Sequence, residues 1–357
     1  MSAETQSPEP PSLDAWRQLV DLDQLAAWMD ERGLEHGPIE EAARPPGGTQ
    51  NLLLRFRRGG RWFMLRRPPL HPRMNGSETM RREARVLAAL ARSDVPHPRL
   101  IAACPDEDVL GAAFYLMEPI DGFNPTVGLP DLHAGDPAMR RTMGLALADG
   151  AAALGRLDHV AAGLSDLGRA EGFLERQVGR WKKQLTSYEE YEGWAGPGEI
   201  EGIEAVGAWL EAHRPSSFKS GLIHGDYHLA NVLYRYDGPE LAAIVDWELT
   251  TIGDPLLDLG WLMATWPEDG RPLDGNLSVT PWDGFPSASE LIDRYAGQTE
   301  RDMSHMTWYG VLACYKLGVI LEGSHARAAA GKADKITGDR LHAQTLGLFQ
   351  RALRWIA

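Results

Sequence analysis

The segment Leu222-Ile223-His224-Gly225-Asp226-Tyr227-His228-Leu229-Ala230-Asn231, followed by Ile244-Val245-Asp246-Trp247-Glu248, constrains this chain more than any other. Gly221-Leu222-Ile223 is a short apolar run entering a polar loop and Val232-Leu233-Tyr234 is another leaving it, so the polar residues belong between two buried strands. Asp237-Gly238-Pro239 reads as a turn, and Leu241 to Val245 as the strand that delivers Asp246 to the same place. A buried charge without a partner is expensive, so packing alone does not explain Asp226, Asn231 and Asp246 together. Asp226 can take the proton of an attacking hydroxyl, and Asn231 and Asp246 offer oxygens to a divalent cation.

His-x-Asp-x-x-x-x-Asn with a later metal-binding Asp is the kinase catalytic template. On these residues the sequence resembles the aminoglycoside phosphotransferase family, small-molecule relatives of protein kinases that include choline kinases. Asp246-Trp247-Glu248 stands where protein kinases carry Asp-Phe-Gly, and Gly225 stands where they carry an Arg that receives an activation-loop phosphate. The absence of that Arg argues against phosphorylation-gated activity. Thr251-Ile252-Gly253-Asp254-Pro255-Leu256-Leu257-Asp258-Leu259-Gly260 is similar to the family's Gly-Asp-Pro-x-x-Asp-Leu segment. This implies that Asp258, near a helix start, braces the loop by accepting from backbone N–H groups. The resemblance implies an α+β, two-lobed protein-kinase-like fold, with a small β-rich N-lobe and a larger, mainly helical C-lobe. It implies Asp226 as catalytic base, Asn231 and Asp246 as Mg²⁺ ligands, His224 and Asp258 as structural support, and ATP or GTP as phosphoryl donor.

Along the chain, residues 1–12 are rich in Pro and Glu and are expected to form a disordered tail. Residues 13–118 are assigned to the N-lobe. There Asp21 can cap a helix with Leu22, Leu25, Trp28 and Met29 on one face, and strands are expected over 39–44, 51–57 and 61–67, the last two joined at Arg58-Gly59-Gly60. Gly47, Gly48, Thr49 and Asn51 lie where a kinase needs a Gly-rich hairpin, because N–H groups approach phosphate only where no side chain intrudes. Arg66 occupies the position of the kinase phosphate-contacting Lys, although period-two alternation leaves Arg67 as its competitor. Glu83, on a helix opened by Ser77, is its expected ion-pair partner, with a solvated helix position as the alternative. Residues 119–124 are the expected hinge, and the resemblance implies that Met117, just before it, borders the adenine pocket while the Glu118 carbonyl and Ile120 N–H read the purine edge.

Residues 125–357 are assigned to the helical C-lobe, with a catalytic hairpin over 221–248 and helices over 137–158, 172–190, 199–213, 255–266, 287–298, 303–323 and 336–355. Ser287 with Glu290 makes a capping box. Substrate candidates are Glu248, Trp308, Tyr309, Tyr315 and Arg327, with Lys316 and Glu322 beside them. Phe114 to Glu118, Asp246-Trp247-Glu248 and Glu322-Gly323-Ser324-His325-Ala326-Arg327 look most like a subgroup that occurs as kinase-like domains fused to acyl-CoA dehydrogenases. This implies a hydroxy acid or hydroxyacyl coenzyme A as acceptor. From Arg301 onward, eight Lys and Arg face four Asp and Glu, so Arg327, Lys332 and Lys335 are expected to receive an anionic group.

Composition bounds the alternatives. The 357 residues carry 36 Lys and Arg against 50 Asp and Glu, a net charge of −14 that disfavours nucleic acid and anionic membrane as partners. A basic start and apolar core of a signal peptide are missing, and no apolar run approaches the roughly 20 residues of a membrane span, so the expected location is cytoplasmic. Oligomeric state has no signal. Three other readings stay open: a true aminoglycoside-modifying enzyme, a nucleotide-binding pseudokinase scaffold, and a metal-dependent hydrolase that uses the alternating His224, Asp226 and His228.

Overall fold

The computed structural model describes residues 16–45, 51–69, 75–268 and 277–357. The chain divides into two compact units, Met1–Asp121 and Gly122–Ala357. The expected Gly47, Gly48 and Thr49 phosphate hairpin lies outside the described residues.

In the N-terminal unit, Asp21 caps helix α1 (Leu22–Asp30) by accepting from the Asp23 and Gln24 N–H groups, and Leu22, Leu25, Trp28 and Met29 form its buried face. Strands β1 (Glu40–Ala43), β2 (Leu52–Arg58), β3 (Arg61–Arg67), β4 (Leu100–Cys104) and β5 (Phe114–Met117) make one five-stranded antiparallel sheet in the order β1-β2-β3-β5-β4. Gly59 and Gly60 have φ of 54° and 83°, which lets a two-residue turn set Arg58 opposite Arg61. Alternation then divides the sheet. Leu54, Phe56, Phe63, Leu65, Phe114 and Leu116 join α1 in one core, while Arg66 and its cross-strand neighbour Tyr115 meet helix α2 (Gly76–Leu90).

Two details differ from expectation. Helix α2 opens after Asn75 in a left-handed conformation, not at Ser77, whose hydroxyl instead accepts from the Ala113 N–H at 3.2 Å. Strand β4 carried no sequence signal, because Leu-Ile-Ala-Ala-Cys mixes strong and weak strand formers and its pairing with β5 supplies the preference.

The C-terminal unit is mainly helical: α3 (Asp131–Ala134), α4 (Pro137–Arg156), α5 (Glu175–Thr186), α6 (Ile203–Ala212), α7 (Leu256–Ala264), α8 (Ala288–Ala296), α9 (Met306–Ala329) and α10 (Lys335–Ile356). Helix α5 ends in a separate 3₁₀ turn over Ser187–Glu190. Ser287 and Glu290 complete both bonds of a capping box on α8, worth about 1 kcal/mol.

The segment expected to be a single catalytic hairpin is two ribbons. β6 (Gly221–Ile223) pairs with β9 (Thr251–Gly253), and β7 (Val232–Tyr234) pairs with β8 (Leu241–Ile244). Ile223 stands opposite Thr251 and Val232 opposite Ile244, so the loop from β6 to β7 and the loop from β8 to β9 cross at the same end. That crossing brings Asp226, Asn231 and Asp246 into neighbouring loops although up to twenty residues separate them.

Candidate active site

Tyr227 and Leu229 anchor the loop after β6: Tyr227 is fully buried and donates to the Leu147 carbonyl at 2.8 Å. Their burial turns the alternate residues, Asp226 and His228, outward. Gly225 makes the bend with φ of 89°, and a Cβ there would meet the Leu249 carbonyl oxygen at 2.7 Å. Both conditions exclude the Arg of protein kinases at this position.

The histidines and backbone N–H groups at the bend of the loop have assigned partners. Asp258, buried in the first turn of α7, accepts from the His224 N–H at 2.7 Å and the Gly225 N–H at 2.9 Å. Burial pushes its carboxyl up, and the two N–H bonds with the electrostatic pull of the His224 ring and the Lys316 ammonium oppose that. The His224 ring takes the Asp226 N–H at Nδ1 and donates from Nε2 to the Val245 carbonyl, tying the two crossing loops together. His228 accepts the Ala230 N–H at Nδ1, which fixes the proton on Nε2, 3.1 Å from the Asp226 carboxylate. With these ring nitrogens occupied, neither histidine offers a lone pair to zinc. The hydrolase reading of His224, Asp226 and His228 is thereby corrected.

The Asp226 carboxylate also accepts from Asn231 Nδ2 at 2.9 Å, and the same amide nitrogen reaches the Asp226 carbonyl. Both acceptors demand the nitrogen, so the Asn231 oxygen is left free for another ligand. Burial raises the Asp226 carboxyl, but the His228 hydrogen bond and the electrostatic pull of His228, His224 and the Lys316 ammonium outweigh it and hold the group well below the usual carboxylate range. Asp246 sits just after β8 in the left-handed region, φ 67°, a conformation Asp tolerates at a cost and one that turns the chain into the 3₁₀ segment Trp247–Leu249. Glu248, in that segment, is half-buried.

Lys316 is the neighbour that matters most among the residues placed beside the substrate candidates. Its ammonium donates to the Gly225 carbonyl at 3.0 Å and stands 4.3 Å from the Trp261 ring centroid and 5.7 Å from that of Trp181. Burial pulls it down to about 8, opposed by the charges of Asp226 and Asp258. Asn124 escaped the sequence reading: its Nδ2 holds the Ala230 carbonyl at 2.6 Å. A lone Asn after an apolar strand carries no signal for that contact.

In the N-terminal unit, Arg66 Nε lies 2.9 Å from Glu83, and Tyr115 donates to the same carboxylate at 2.7 Å. Glu83 is 1% exposed, so it is not a solvated helix position. Arg67 points the other way, to the Pro68 and Leu19 carbonyls. Met117 ends β5, and the Glu118 N–H is spent on the Arg99 carbonyl, leaving its own carbonyl uncommitted by that bond. Asn51, Met117 and Ile120 are half-buried.

Three substrate candidates are corrected. Trp308, Tyr309 and Tyr315 are 1%, 2% and 1% exposed; Trp308 donates to the Leu210 carbonyl and Tyr309 to Asp254. Burying such a ring contributes about 4–6 kcal/mol of gross stabilisation, which presenting it to a substrate would forfeit. The basic C-terminal cluster is likewise dispersed: Arg327 bonds Ser324, Lys335 bonds Asp339, and Lys332 lies over Tyr191. Instead, a cavity of about 470 Å³ along α5 is lined by Arg176, Arg180 and Lys183 with Phe173, Gln177 and Gln184. Arg180 and Lys316 both lie against the Trp181 ring.

A sequence model described as a phosphotransferase enzyme family matches residues 41–287. Among curated relatives, acyl-CoA dehydrogenase family member 11 of Gallus gallus is 30% identical over 80% of this chain and 36% of its own length. Family member 10 of Mus musculus is 27% identical over 82% of this chain and 27% of its own. The chain thus spans only about a third of the length of these relatives. Among solved structures, a candidate aminoglycoside phosphotransferase of Ralstonia eutropha JMP134 is 27% identical, with a TM-score of 0.77 over 94% of this chain and 98% of that one. A choline kinase of Cryptosporidium parvum Iowa II shares the fold at 14% identity, with a TM-score of 0.57 over 88% of this chain and 90% of that one. With its protein-kinase-like fold, the chain belongs to the phosphotransferase enzyme family.

Proposed function

We propose that the protein transfers the terminal phosphoryl group of ATP or GTP to the hydroxyl of a small anionic acceptor, a hydroxy acid or hydroxyacyl thioester, with Mg²⁺. The observation that carries this reading is the Asp226 carboxylate, held ionised by His228 and Asn231 beside a strained Asp246. An ionised Asp226 accepts the hydrogen bond of the acceptor hydroxyl and aims its oxygen at the phosphorus. Its lowered basicity suits a reaction in which positioning and charge stabilisation outweigh early proton removal. The free Asn231 oxygen and the Asp246 carboxylate fit a hard cation that takes only oxygen ligands. Mg²⁺ bound there would neutralise charge developing on the phosphates. In the N-terminal unit we assign a nucleotide phosphate to Arg66, oriented by Glu83.

The anionic acceptor is favoured by the α5 cavity, because among the described residues Arg180 and Lys183 pair with no carboxylate, and both are exposed. A polycationic aminoglycoside would meet repulsion there. The relatives named as acyl-CoA dehydrogenase family members agree with a thioester. A thermal-shift series with Mg²⁺ and ATP or GTP, followed by a screen of hydroxylated compounds for stimulated nucleoside diphosphate release, tests the reading. Saturation to about 100 times Kd adds roughly 2.7 kcal/mol of stability. No shift with either nucleotide at millimolar levels would remove Asn231 and Asp246 as metal ligands. Turnover of kanamycin-like compounds alone would return the protein to antibiotic modification.

A further inference from the structure

The Glu322-x-x-His325 pair on α9 faces Asp339-x-x-His342 on α10, so each of two packed helices offers a carboxylate and an imidazole at i, i+3 spacing. This pairing is a recurrent way for helices to hold a metal. A carboxylate oxygen of Glu322 and one ring nitrogen from each of His325 and His342 all lie within 4.8 Å of one another. Glu322 is fully buried. One of its oxygens is 2.8 Å from His342 Nδ1, and the other accepts the Trp194 indole N–H at 2.7 Å.

The hydrogen bond between Glu322 and His342 leaves one observation unexplained. His325 Nδ1 is buried with no hydrogen-bond partner, and the Asp339 carboxylate oxygen stands 3.8 Å away, too far for one. A buried nitrogen without a partner costs about 1–3 kcal/mol. The two imidazoles stack face to face at 4.4 Å between centroids, 26° apart.

The geometry points to a divalent transition-metal site of zinc type formed by Glu322, His325 and His342, with Asp339 as fourth ligand, clamping α10 onto α9. Tetrahedral Zn²⁺, with bonds of about 2.0–2.1 Å, needs donors roughly 3.4 Å apart, so closing the cluster asks only for side-chain rotation. The Trp194 bond orients the Glu322 carboxylate as an outer-shell donor does. On binding, the proton shared by His342 and Glu322 leaves to solvent, and the metal takes its place between them. Lys335 holds Asp339 at 2.5 Å and competes for it, but Lys335 is 80% exposed and free to swing away. Glu322 lies six residues, about 9 Å of helix, beyond Lys316. The site is thus separate from the oxygen ligands at the catalytic loop.

Calorimetric titration of Zn²⁺ into the full chain, stripped with chelator and free of nucleotide, tests the assignment. One equivalent should bind with micromolar affinity or better and raise the melting temperature. His325→Ala and His342→Ala, at positions only 23% and 22% exposed yet on helix surfaces, should each weaken binding at least about tenfold. Lys335→Met should strengthen it, an effect that loss of folding cannot imitate. Co²⁺ in place of Zn²⁺ should give the visible absorption of a tetrahedral nitrogen and oxygen site. No uptake of Zn²⁺, or uptake unchanged in both histidine variants, overturns the proposal.

Discussion

Replacing Asp258 by Asn should damage stability and turnover together, and the size of the effect follows from the brace. Asp258 accepts two charge-assisted bonds, from the His224 and Gly225 N–H groups at 2.7 and 2.9 Å. Asn keeps one oxygen and turns an amide N–H₂ toward the other donor, so one buried N–H loses its partner at about 1–3 kcal/mol and the surviving bond loses its charge. Against this, a neutral side chain recovers part of the desolvation that now pushes the Asp258 carboxyl up. The balance is a loss of about 2 kcal/mol, or roughly 4–8 °C in melting temperature for a unit of this size. The two N–H groups set the direction from which Asp226 leaves the loop, and a displacement of about 1 Å costs on the order of 100-fold in turnover. Differential scanning fluorimetry and steady-state kinetics on the same preparation read both. A variant that melts with the parent and turns over at its rate would refute the brace.

Lys316 should set an alkaline limb: as pH rises through about 8, its charge beside Asp226 is lost and kcat/KM falls, whereas Lys316→Arg keeps the charge and removes the limb. The unfolded chain holds lysine protons to about 10.4, so the folded protein binds fewer protons between about 8 and that value; this group adds stability as pH rises through the window, readable by urea titration. Tyr309→Phe should cost about 1–3 kcal/mol of stability by removing the donor to buried Asp254, yet leave the KM for acceptor unchanged; a raised KM would restore Tyr309 as a substrate residue. Neutralising Arg180 and Lys183 together should raise the KM for an anionic acceptor, with a weaker effect at high salt, and an unchanged KM would move the acceptor away from α5.

What the sequence disclosed is local. Asp21, Ser287 with Glu290, and Gly59-Gly60 each act within a few residues, and the structure uses each as its chemistry requires. The grouping of the polar loop was equally legible, because His224, Asp226 and Asn231 lie within eight residues of one another. Pairing over distance was not. The partner of β6 is β9, thirty residues on, and only the ladder from Gly221 to Gly253 shows that the segment is two ribbons rather than one hairpin. Arg66 and Arg67 are adjacent and chemically alike, and which of them meets Glu83 depends on the face of β3 that α2 covers. Trp308, Tyr309 and Tyr315 carried polar tips that suited a pocket as well as a core, and the packing of α9 decided for the core. Lys316 stood in a helix otherwise apolar around it, a signal that placed it near the chemistry without revealing its bond to Gly225.

The most direct test of the central claim is single-turnover phosphoryl transfer by Asp226→Asn with the Mg²⁺ nucleotide that stabilises the protein. Asp226 touches acceptor rather than nucleotide in this account, so nucleotide affinity should stay within about twofold while acceptor-dependent transfer falls about 10²- to 10⁴-fold. The Asp246→Asn variant should instead weaken Mg²⁺-nucleotide binding itself. An Asp226→Asn protein that phosphorylates its acceptor at the parent rate would contradict the assignment of this carboxylate, and with it the mechanism built on the loop.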